Sequence, residues 1–135
     1  MVGILIVTHG KLAHELLETT RIIVGKSTDH IVPISVGWND DMADVQKNIT
    51  ASVAKVDQGQ GVLILTDMFG GTPSNISLSF LSDKIEIITG VNLPMLIKIV
   101  NVGDRYDLKE LAQVIFEQGK KSIYLASEIL SMQKK

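Results

Sequence analysis

The chain alternates short hydrophobic runs with longer stretches whose hydrophobic positions recur every three or four residues. The runs predict buried strands at about 2–8, 31–36, 62–66 and 84–89. The intervening and following stretches predict helices at about 11–24, 41–56, 73–81, 93–100 and 108–118. Because parallel strands are joined by right-handed crossovers, this order predicts an α/β fold: a doubly wound, mainly parallel sheet with helices on both faces.

The C-terminal segment Lys121–Ala126 alternates weakly between polar and apolar residues and predicts a fifth strand. It follows a helix rather than a crossover return. We therefore expect it to lie antiparallel at an edge of the sheet or to add to a partner's sheet. Residues 1–135 are predicted to form one domain, since this length suits a single hydrophobic core.

Composition narrows the class of protein. The 13 basic and 15 acidic residues are spread along the chain and give a net charge of −2, so we expect no nucleic-acid partner. The absence of cysteine excludes disulfides and zinc–thiolate sites. The N-terminus lacks the pattern of a signal peptide, and no apolar run approaches the roughly 20 residues of a membrane helix. These features predict a cytoplasmic protein.

A histidine stands where the first predicted strand ends. His9 lies between Thr8 and Gly10, directly after the apolar run. Ligands of open α/β sheets bind at the carboxyl ends of strands. A neutral imidazole is a good nucleophile near pH 7 and can carry a phosphoryl group. An isolated histidine more often only ends a strand, so the position of His9 in the sheet is what favours a function.

The third predicted strand ends in the motif TDMFGGTPSN, residues 66–75. A carboxylate at Asp67 can accept a hydrogen bond from one nitrogen of His9 and leave the other nitrogen free. Gly70 and Gly71 allow a ligand to approach the backbone, and the helix start at Thr72 offers N–H groups to a phosphoryl group. The alternatives are a capping aspartate and a tight turn that needs glycine.

Together these residues predict one site. His9 is the candidate nucleophile, Asp67 its orienting carboxylate, and Gly70, Gly71 and Thr72 the candidate phosphate-binding residues. No lysine or arginine stands in the motifs, although enzymes that hydrolyse phosphate esters normally use such cations. The site is therefore typical of a protein that carries a phosphoryl group and passes it on. No cofactor or metal is predicted, since two side chains are too few ligands.

Three motifs resemble one known family. The THG after the first strand, the TDMFGGTPSN after the third and the TGVNLPML at Thr89–Leu96 are similar to the enzyme IIA component of the mannose-type (mannose/fructose/sorbose) phosphoenolpyruvate-dependent sugar phosphotransferase system. The resemblance covers roughly Met1–Ala126. It implies a doubly wound α/β fold and a homodimer joined by a swapped edge strand, for which residues 121–126 are the candidate.

The resemblance also implies a function. His9 would accept a phosphoryl group from the phosphocarrier protein HPr and donate it to a histidine of enzyme IIB. Asp67 would match the family's partner carboxylate, and Gly71 and Thr72 its phosphate-contacting turn. The chain would be a cytoplasmic phosphotransferase with a phosphohistidine intermediate, peripheral to the membrane permease components. Enzyme IIB is expected on a separate polypeptide, since no Ala/Pro-rich linker follows. The transported sugar is not predicted.

Three other functions remain open. A histidine-dependent phosphatase or mutase needs an arginine before its histidine, but Thr8 stands there, and Arg21 and Arg105 lie outside the motifs. A non-enzymatic flavodoxin-like regulatory module would use Asp67 as phosphoacceptor, but needs an acidic cluster near the first strand. A IIA-like subunit serving dihydroxyacetone kinase shares the histidine, whereas the turn at Phe69–Pro73 fits the sugar-transport family better.

Several residues outside the motifs carry weaker signals. Trp38 follows the second strand at the same end of the sheet, so it either shapes a docking surface or is partly buried. Met68 and Phe69, beside Asp67, either form part of an exposed docking patch or are buried in the core. His14 falls in the first helix, where a surface position is expected.

Overall fold

Four parallel strands form the centre of the structure, a computed structural model that describes residues 1–133. The strands are β1 (Gly3–His9), β2 (Ile31–Val36), β3 (Val62–Thr66) and β4 (Ile85–Thr89). The helices are α1 (Leu12–Val24), α2 (Met42–Val56), α3 (Thr72–Leu78), α4 (Leu93–Val102), α5 (Leu108–Lys121) and α6 (Ala126–Gln133), with a 3-10 turn at Gly103–Arg105. None of the helices within residues 1–133 has the length and hydrophobicity needed to cross a membrane.

The strand order is β2-β1-β3-β4, and every neighbouring pair is parallel. This confirms the predicted doubly wound sheet. The chain passes from β1 to β2 on one side and then returns to place β3 on the other side of β1. The winding therefore reverses between β1 and β3, whose carboxyl ends flank the crevice where ligands bind in such sheets. The edge strands are β2, which contains Pro33 opposite Ile6 of β1, and β4.

The central strands are buried on both faces because their side chains alternate between two hydrophobic cores. Helices α1, α4 and α5 cover one face, over Ile4, Ile6, Leu63 and Leu65. Helices α2 and α3 cover the other face, over Leu5, Val7, Val62 and Ile64. Polar side chains appear on these strands only where the strands end. The side chains that could react or bind a ligand therefore lie at the carboxyl edge of the sheet.

Three helices end at residues other than those predicted. Helix α4, predicted to end at residue 100, continues to Val102. The prediction extends α3 to residue 81, but α3 ends at Leu78, where successive hydrogen bonds span three residues and tighten the chain. The prediction ends α5 before Gly119, but the helix continues to Lys121. Gly119 packs directly against Met95, and its carbonyl accepts a hydrogen bond from Asn92 Nδ2 at 3.1 Å. Gly119 is therefore a contact between α4 and α5 rather than a helix stop.

The segment Lys121–Ala126 is not a strand in the single chain, contrary to the fold predicted for it. Lys121 closes α5, the backbone is irregular up to Leu125, and Ala126 begins α6, a helix that was not predicted. A strand needs a neighbouring strand for its backbone hydrogen bonds, and within residues 1–133 no strand pairs with this segment. Its exchange between two subunits stays a prediction. Residues 134 and 135 of the predicted domain lie outside the described residues.

Candidate active site

The turn after β1 is held by hydrogen bonds on both sides of His9. The N–H of Gly10 donates to the carbonyl of Val36 in β2 at 3.0 Å. The hydroxyl of Thr8 accepts a hydrogen bond from the N–H of Ala13 at 2.7 Å and so satisfies a free donor in the first turn of α1. This capping role of Thr8 was not predicted, because Thr8 belongs to the strand. The two bonds leave His9 in a turn with little freedom.

His9 and Asp67 are in direct contact, which confirms that they meet at the carboxyl edge of the sheet. Nδ1 of His9 lies 2.8 Å from Oδ2 of Asp67, and the same oxygen accepts the backbone N–H of His9 at 3.0 Å. The other carboxylate oxygen accepts the N–H of Met68 at 3.0 Å. Because an ionised carboxylate only accepts, the neutral imidazole carries its proton on Nδ1 and its lone pair on Nε2.

The pair is partly open to solvent. The side chain of His9 is 32% exposed and that of Asp67 is 12% exposed. Burial alone raises the pKa of Asp67, but the hydrogen bonds from the imidazole and backbone N–H of His9 outweigh it, and the pKa lies below its ordinary value. Asp67 is therefore ionised at neutral pH, and it keeps the imidazole of His9 in one tautomer.

Gly71 faces the imidazole from the turn between β3 and α3. A Cβ at this position would lie 2.7 Å from Cε1 and 3.2 Å from Nε2 of His9. Gly70 has a φ of 90°, a conformation that favours glycine. Helix α3 begins at Thr72, and the N–H of Asn75 donates to the carbonyl of Gly71 at 2.9 Å. The free nitrogen of His9 thus lies beside the start of α3, and the N–H groups before Asn75 are not used within the helix.

Gly71→Ala is expected to displace the imidazole and weaken its bond to Asp67, because 2.7 Å is too short for a Cβ contact. The unfolding free energy should fall by about 1.5–3 kcal/mol, the range for a hydrogen bond to a charged group. Nitrogen NMR of the His9 ring should show that Nδ1 no longer carries the proton exclusively. Gly103→Ala is the control, since its Cβ would meet nothing closer than 3.7 Å. A wild-type ring spectrum in Gly71→Ala would contradict the prediction.

Large apolar side chains near the site are exposed rather than buried. Trp38 is 93% exposed, Phe69 73% and Met68 55%. The rings of Trp38 and His9 have centroids 6.1 Å apart and planes inclined at 37°. The sequence leaves open whether these side chains are buried or form a docking surface, and the structure excludes burial.

Neither arginine belongs to the site. Arg21 donates to Thr28 Oγ1 at 2.8 Å near the far end of α1, and Arg105 lies in the 3-10 turn after α4. Across residues 1–133, His9 and Asp67 are ion-paired only with each other. The same part of the chain contains no group of three His, Cys, Asp or Glu side chains placed to hold a metal ion.

The fold and the site define a class of protein: an α/β domain with a histidine–carboxylate pair where the winding of a parallel sheet reverses. Residues 3–116 match the family model EIIA-man, described as "PTS system fructose IIA component". The chain belongs to this family of phosphotransferase-system IIA components. This confirms the resemblance inferred from the three sequence motifs.

Relatives with known names span the whole domain. The chain is 32% identical over 130 residues to the PTS system mannose-specific EIIAB component of Escherichia coli, covering 90% of this chain and 38% of that protein. It therefore spans well under half the length of that relative. It is 29% identical over 133 residues to the PTS system fructose-specific EIIA component of Bacillus subtilis, covering 96% of this chain and 90% of that protein.

Solved structures share the fold. The PTS IIA protein associated with the fucose utilization operon of Streptococcus pneumoniae superposes with a TM-score of 0.82 at 28% identity, covering 96% of this chain and 99% of that one. Phosphotransferase system component EIIA from Streptococcus agalactiae gives a TM-score of 0.83 at 26% identity, covering 95% and 99% of the two chains.

Proposed function

We propose that the chain is a phosphoryl carrier of a mannose-type sugar phosphotransferase system. His9 accepts a phosphoryl group from phosphorylated HPr and donates it to a histidine of enzyme IIB. The observation that carries this proposal is the 2.8 Å contact between His9 Nδ1 and Asp67 Oδ2, which leaves Nε2 unprotonated at the carboxyl end of β1. Covalent carriage needs one such oriented nucleophile, and membership of the family supports the same role.

The two imidazoles account for every bond, electron pair and proton in the transfer, so no further reactant is needed. The lone pair of His9 Nε2 attacks the phosphorus of the donor phosphohistidine in line, and the electron pair of the breaking P–N bond returns to the donor imidazole. The proton on His9 Nδ1 stays in place. Asp67 stabilises the positive charge that develops on the ring, as a carboxylate does beside a catalytic imidazole. Donation to enzyme IIB is the same step, with His9 as the leaving group.

Gly70, Gly71 and Thr72 are proposed to contact the phosphoryl group. Gly71 lies beside Nε2, and the N–H groups at the start of α3 are not used within the helix. These neutral donors stabilise a phosphoryl group only moderately. The absence of a lysine or arginine ion-paired with His9 or Asp67 in residues 1–133 fits a group that must leave again.

We also propose a homodimer in which residues 121–126 of each chain add to the edge strand β4 of the other. The carbonyl of Lys84 accepts from Val62 in β3 at 2.9 Å, so alternation directs the backbone of Ile87 and Thr89 outward. The N–H of Ile87 donates to Glu86 Oε1 at 2.9 Å, a side-chain partner that a pairing strand would replace. Exposure of residues 121–126 supports this arrangement. In the single chain their large apolar side chains lie at the surface: Ile123, Tyr124 and Leu125.

Tyr124→Pro is expected to convert the dimer into a monomer, because proline removes a backbone donor and is excluded from paired strand interiors. The residue lies in an irregular segment of the single chain, so the fold of the subunit should be retained. Sedimentation equilibrium measures the mass, with Tyr124→Ala as the matched control. A wild-type chain that sediments as a monomer would contradict the proposal.

A IIA component that exchanges phosphoryl groups with HPr works in the cytoplasm, and it reaches the membrane permease components indirectly, through enzyme IIB. The reaction requires no cofactor or metal. A nucleic-acid partner is not proposed, since the net charge is −2.

Stepwise transfer tests the proposed function. With phosphoenolpyruvate, enzyme I and HPr, the chain is expected to gain one phosphoryl group by intact mass, and addition of enzyme IIB should remove it. The bond should be labile in acid and stable in base, as for phosphohistidine; an acyl phosphate on Asp67 would be labile in base. A chain that gains no mass, while releasing phosphate from small phosphate esters, would instead be a phosphatase.

A further inference from the structure

We propose that Trp38 anchors a docking surface for the protein that brings a phosphohistidine to His9. The apolar part of this surface, here called the His9 collar, consists of Trp38, Met68 and Phe69. The partner that fits it presents its phosphohistidine among apolar and basic side chains. This inference rests on the proposed function and adds the residues by which the donor is recognised.

Trp38 contributes almost nothing to the hydrophobic core. Its side chain is 93% exposed, a larger fraction than for any other large hydrophobic residue in the described part of the chain. A tryptophan that only stabilised its turn would bury most of its ring. The exposed indole therefore lacks a structural reason within the chain, whereas tryptophan is the residue type most enriched among the anchors of protein interfaces.

The turn that carries Trp38 is closed by hydrogen bonds. The N–H of Gly37 donates to Asp40 Oδ2 at 2.6 Å, and the N–H of Asp40 donates to the carbonyl of Gly37 at 3.3 Å. Val36, just before the turn, accepts the N–H of Gly10 at 3.0 Å, and this ties the loop to the turn that carries His9. The backbone that carries the indole is thus held in place, which lowers the entropy lost when a partner binds.

Trp38 lies close to the proposed nucleophile, His9. Its ring centroid lies 6.1 Å from that of His9, and Met68 and Phe69 directly follow Asp67, whose carboxylate contacts the imidazole. A molecule that brings a phosphoryl group to Nε2 comes close to the exposed ring of Trp38. A small phosphate ester would meet exposed apolar rings there and no cation paired with the site in residues 1–133. A protein surface would bury the rings.

Charge specifies the partner further. Three exposed carboxylates follow Trp38 through the start of α2: Asp40, Asp41 and Asp44. Asp41 caps α2 by accepting the N–H of Ala43 at 2.9 Å but stays at the surface. Carboxylates at the rim of an interface attract a basic partner and raise its association rate, and salt screens this effect. The transferring protein is therefore expected to carry lysine or arginine beside its phosphohistidine.

Two phosphoryl donors test the role of Trp38. Phosphorylated HPr must dock, whereas phosphoramidate is a small donor that needs no docking surface. For Trp38→Ala, the ratio of the two second-order rate constants, protein donor over phosphoramidate, should fall about tenfold, the loss typical of one interface anchor. The loss should arise in KM rather than kcat. Trp38→Phe should retain most of the ratio, and higher ionic strength should lower it for the wild type.

Ile22→Ala is the matched control, because Ile22 is 76% exposed but lies near the far end of α1. Its ratio should equal that of the wild type. An unchanged ratio for Trp38→Ala would overturn the docking role, and an equal loss with both donors would reassign Trp38 to positioning the imidazole. Loss of self-association in Trp38→Ala would reassign the collar to a second copy of the chain. Wild type that reacts with phosphoramidate alone would overturn the proposed function and the docking role together.

Discussion

His9→Ala is expected to abolish phosphoryl uptake from phosphorylated HPr, whereas His14→Ala is expected to retain it. The alanine variant has no nucleophile at the carboxyl end of β1, and no other residue in contact with Asp67 can take its place. His14 is the matched control: it is an exposed histidine whose Nδ1 lies 3.0 Å from the hydroxyl of Ser35 and which has no carboxylate partner within residues 1–133. Removing a covalent nucleophile leaves no alternative route for carriage.

Intact-mass spectrometry measures this result directly. Wild type and His14→Ala should gain one acid-labile phosphoryl group, and His9→Ala should gain none, even after prolonged incubation. Retained structure in His9→Ala is checked by thermal unfolding. Phosphorylation of the His9→Ala protein would refute the assignment of the site and direct attention to Asp67 as the acceptor.

Asp67→Ala is expected to slow transfer by about 10²- to 10⁴-fold, the cost of losing the carboxylate that orients a catalytic imidazole. Without Asp67 the ring can take the tautomer with the proton on Nε2, which cannot attack. Asp67→Asn should be impaired to a similar extent, because both carboxylate oxygens face N–H donors and an amide nitrogen in either position would oppose one of them. Rapid-quench measurement of single-turnover transfer from phosphorylated HPr gives the rates. Rates for Asp67→Ala within threefold of wild type would contradict an orienting role.

The same substitution should change how stability depends on pH. Because the folded-state pKa of Asp67 lies below its ordinary value of 3.8, the ionised carboxylate stabilises the fold fully above that value. This stabilisation is lost as the pH falls through the folded-state pKa. Urea unfolding should therefore show Asp67→Ala about 1–3 kcal/mol less stable at pH 7, with the difference shrinking below about pH 4. A difference that is constant between pH 3 and pH 7 would exclude the linkage.

The sheet could be predicted closely from the sequence because its signals are local. Strands β2 and β3 have the predicted bounds, Ile31–Val36 and Val62–Thr66, since each is a short apolar run that stops at a polar residue or glycine. The contact between His9 and Asp67 was also predictable, because the carboxyl ends of β1 and β3 meet when the winding of the sheet reverses between them.

Features that depend on distant contacts could not be predicted. Gly119 has the sequence signature of a helix end, but its packing against Met95 of α4 lets α5 continue. The exposure of Trp38 was undecided, because hydrophobic periodicity describes residues in helices and strands and not those in turns. The alternation in Lys121–Ala126 indicates a strand, yet a strand forms only where another strand is available to pair with it.

The two edges of the sheet differ in how they meet other chains. In β2, the carbonyl of His30 accepts the N–H of Ile4, so Ile31, Pro33 and Ser35 direct their backbone outward. The N–H of Ile31 donates to the carbonyl of Thr28, and Pro33 has no N–H group. Each edge thus keeps one outward donor, Ser35 in β2 and Thr89 in β4. In β4, Ile85 donates to the carbonyl of Ser82 and Ile87 to Glu86 Oε1 at 2.9 Å. The proline in β2 is what makes this edge resist further pairing. A proline that blocks pairing at one edge limits growth of the sheet to the other edge, so copies of the chain cannot join edge to edge into a continuous ribbon.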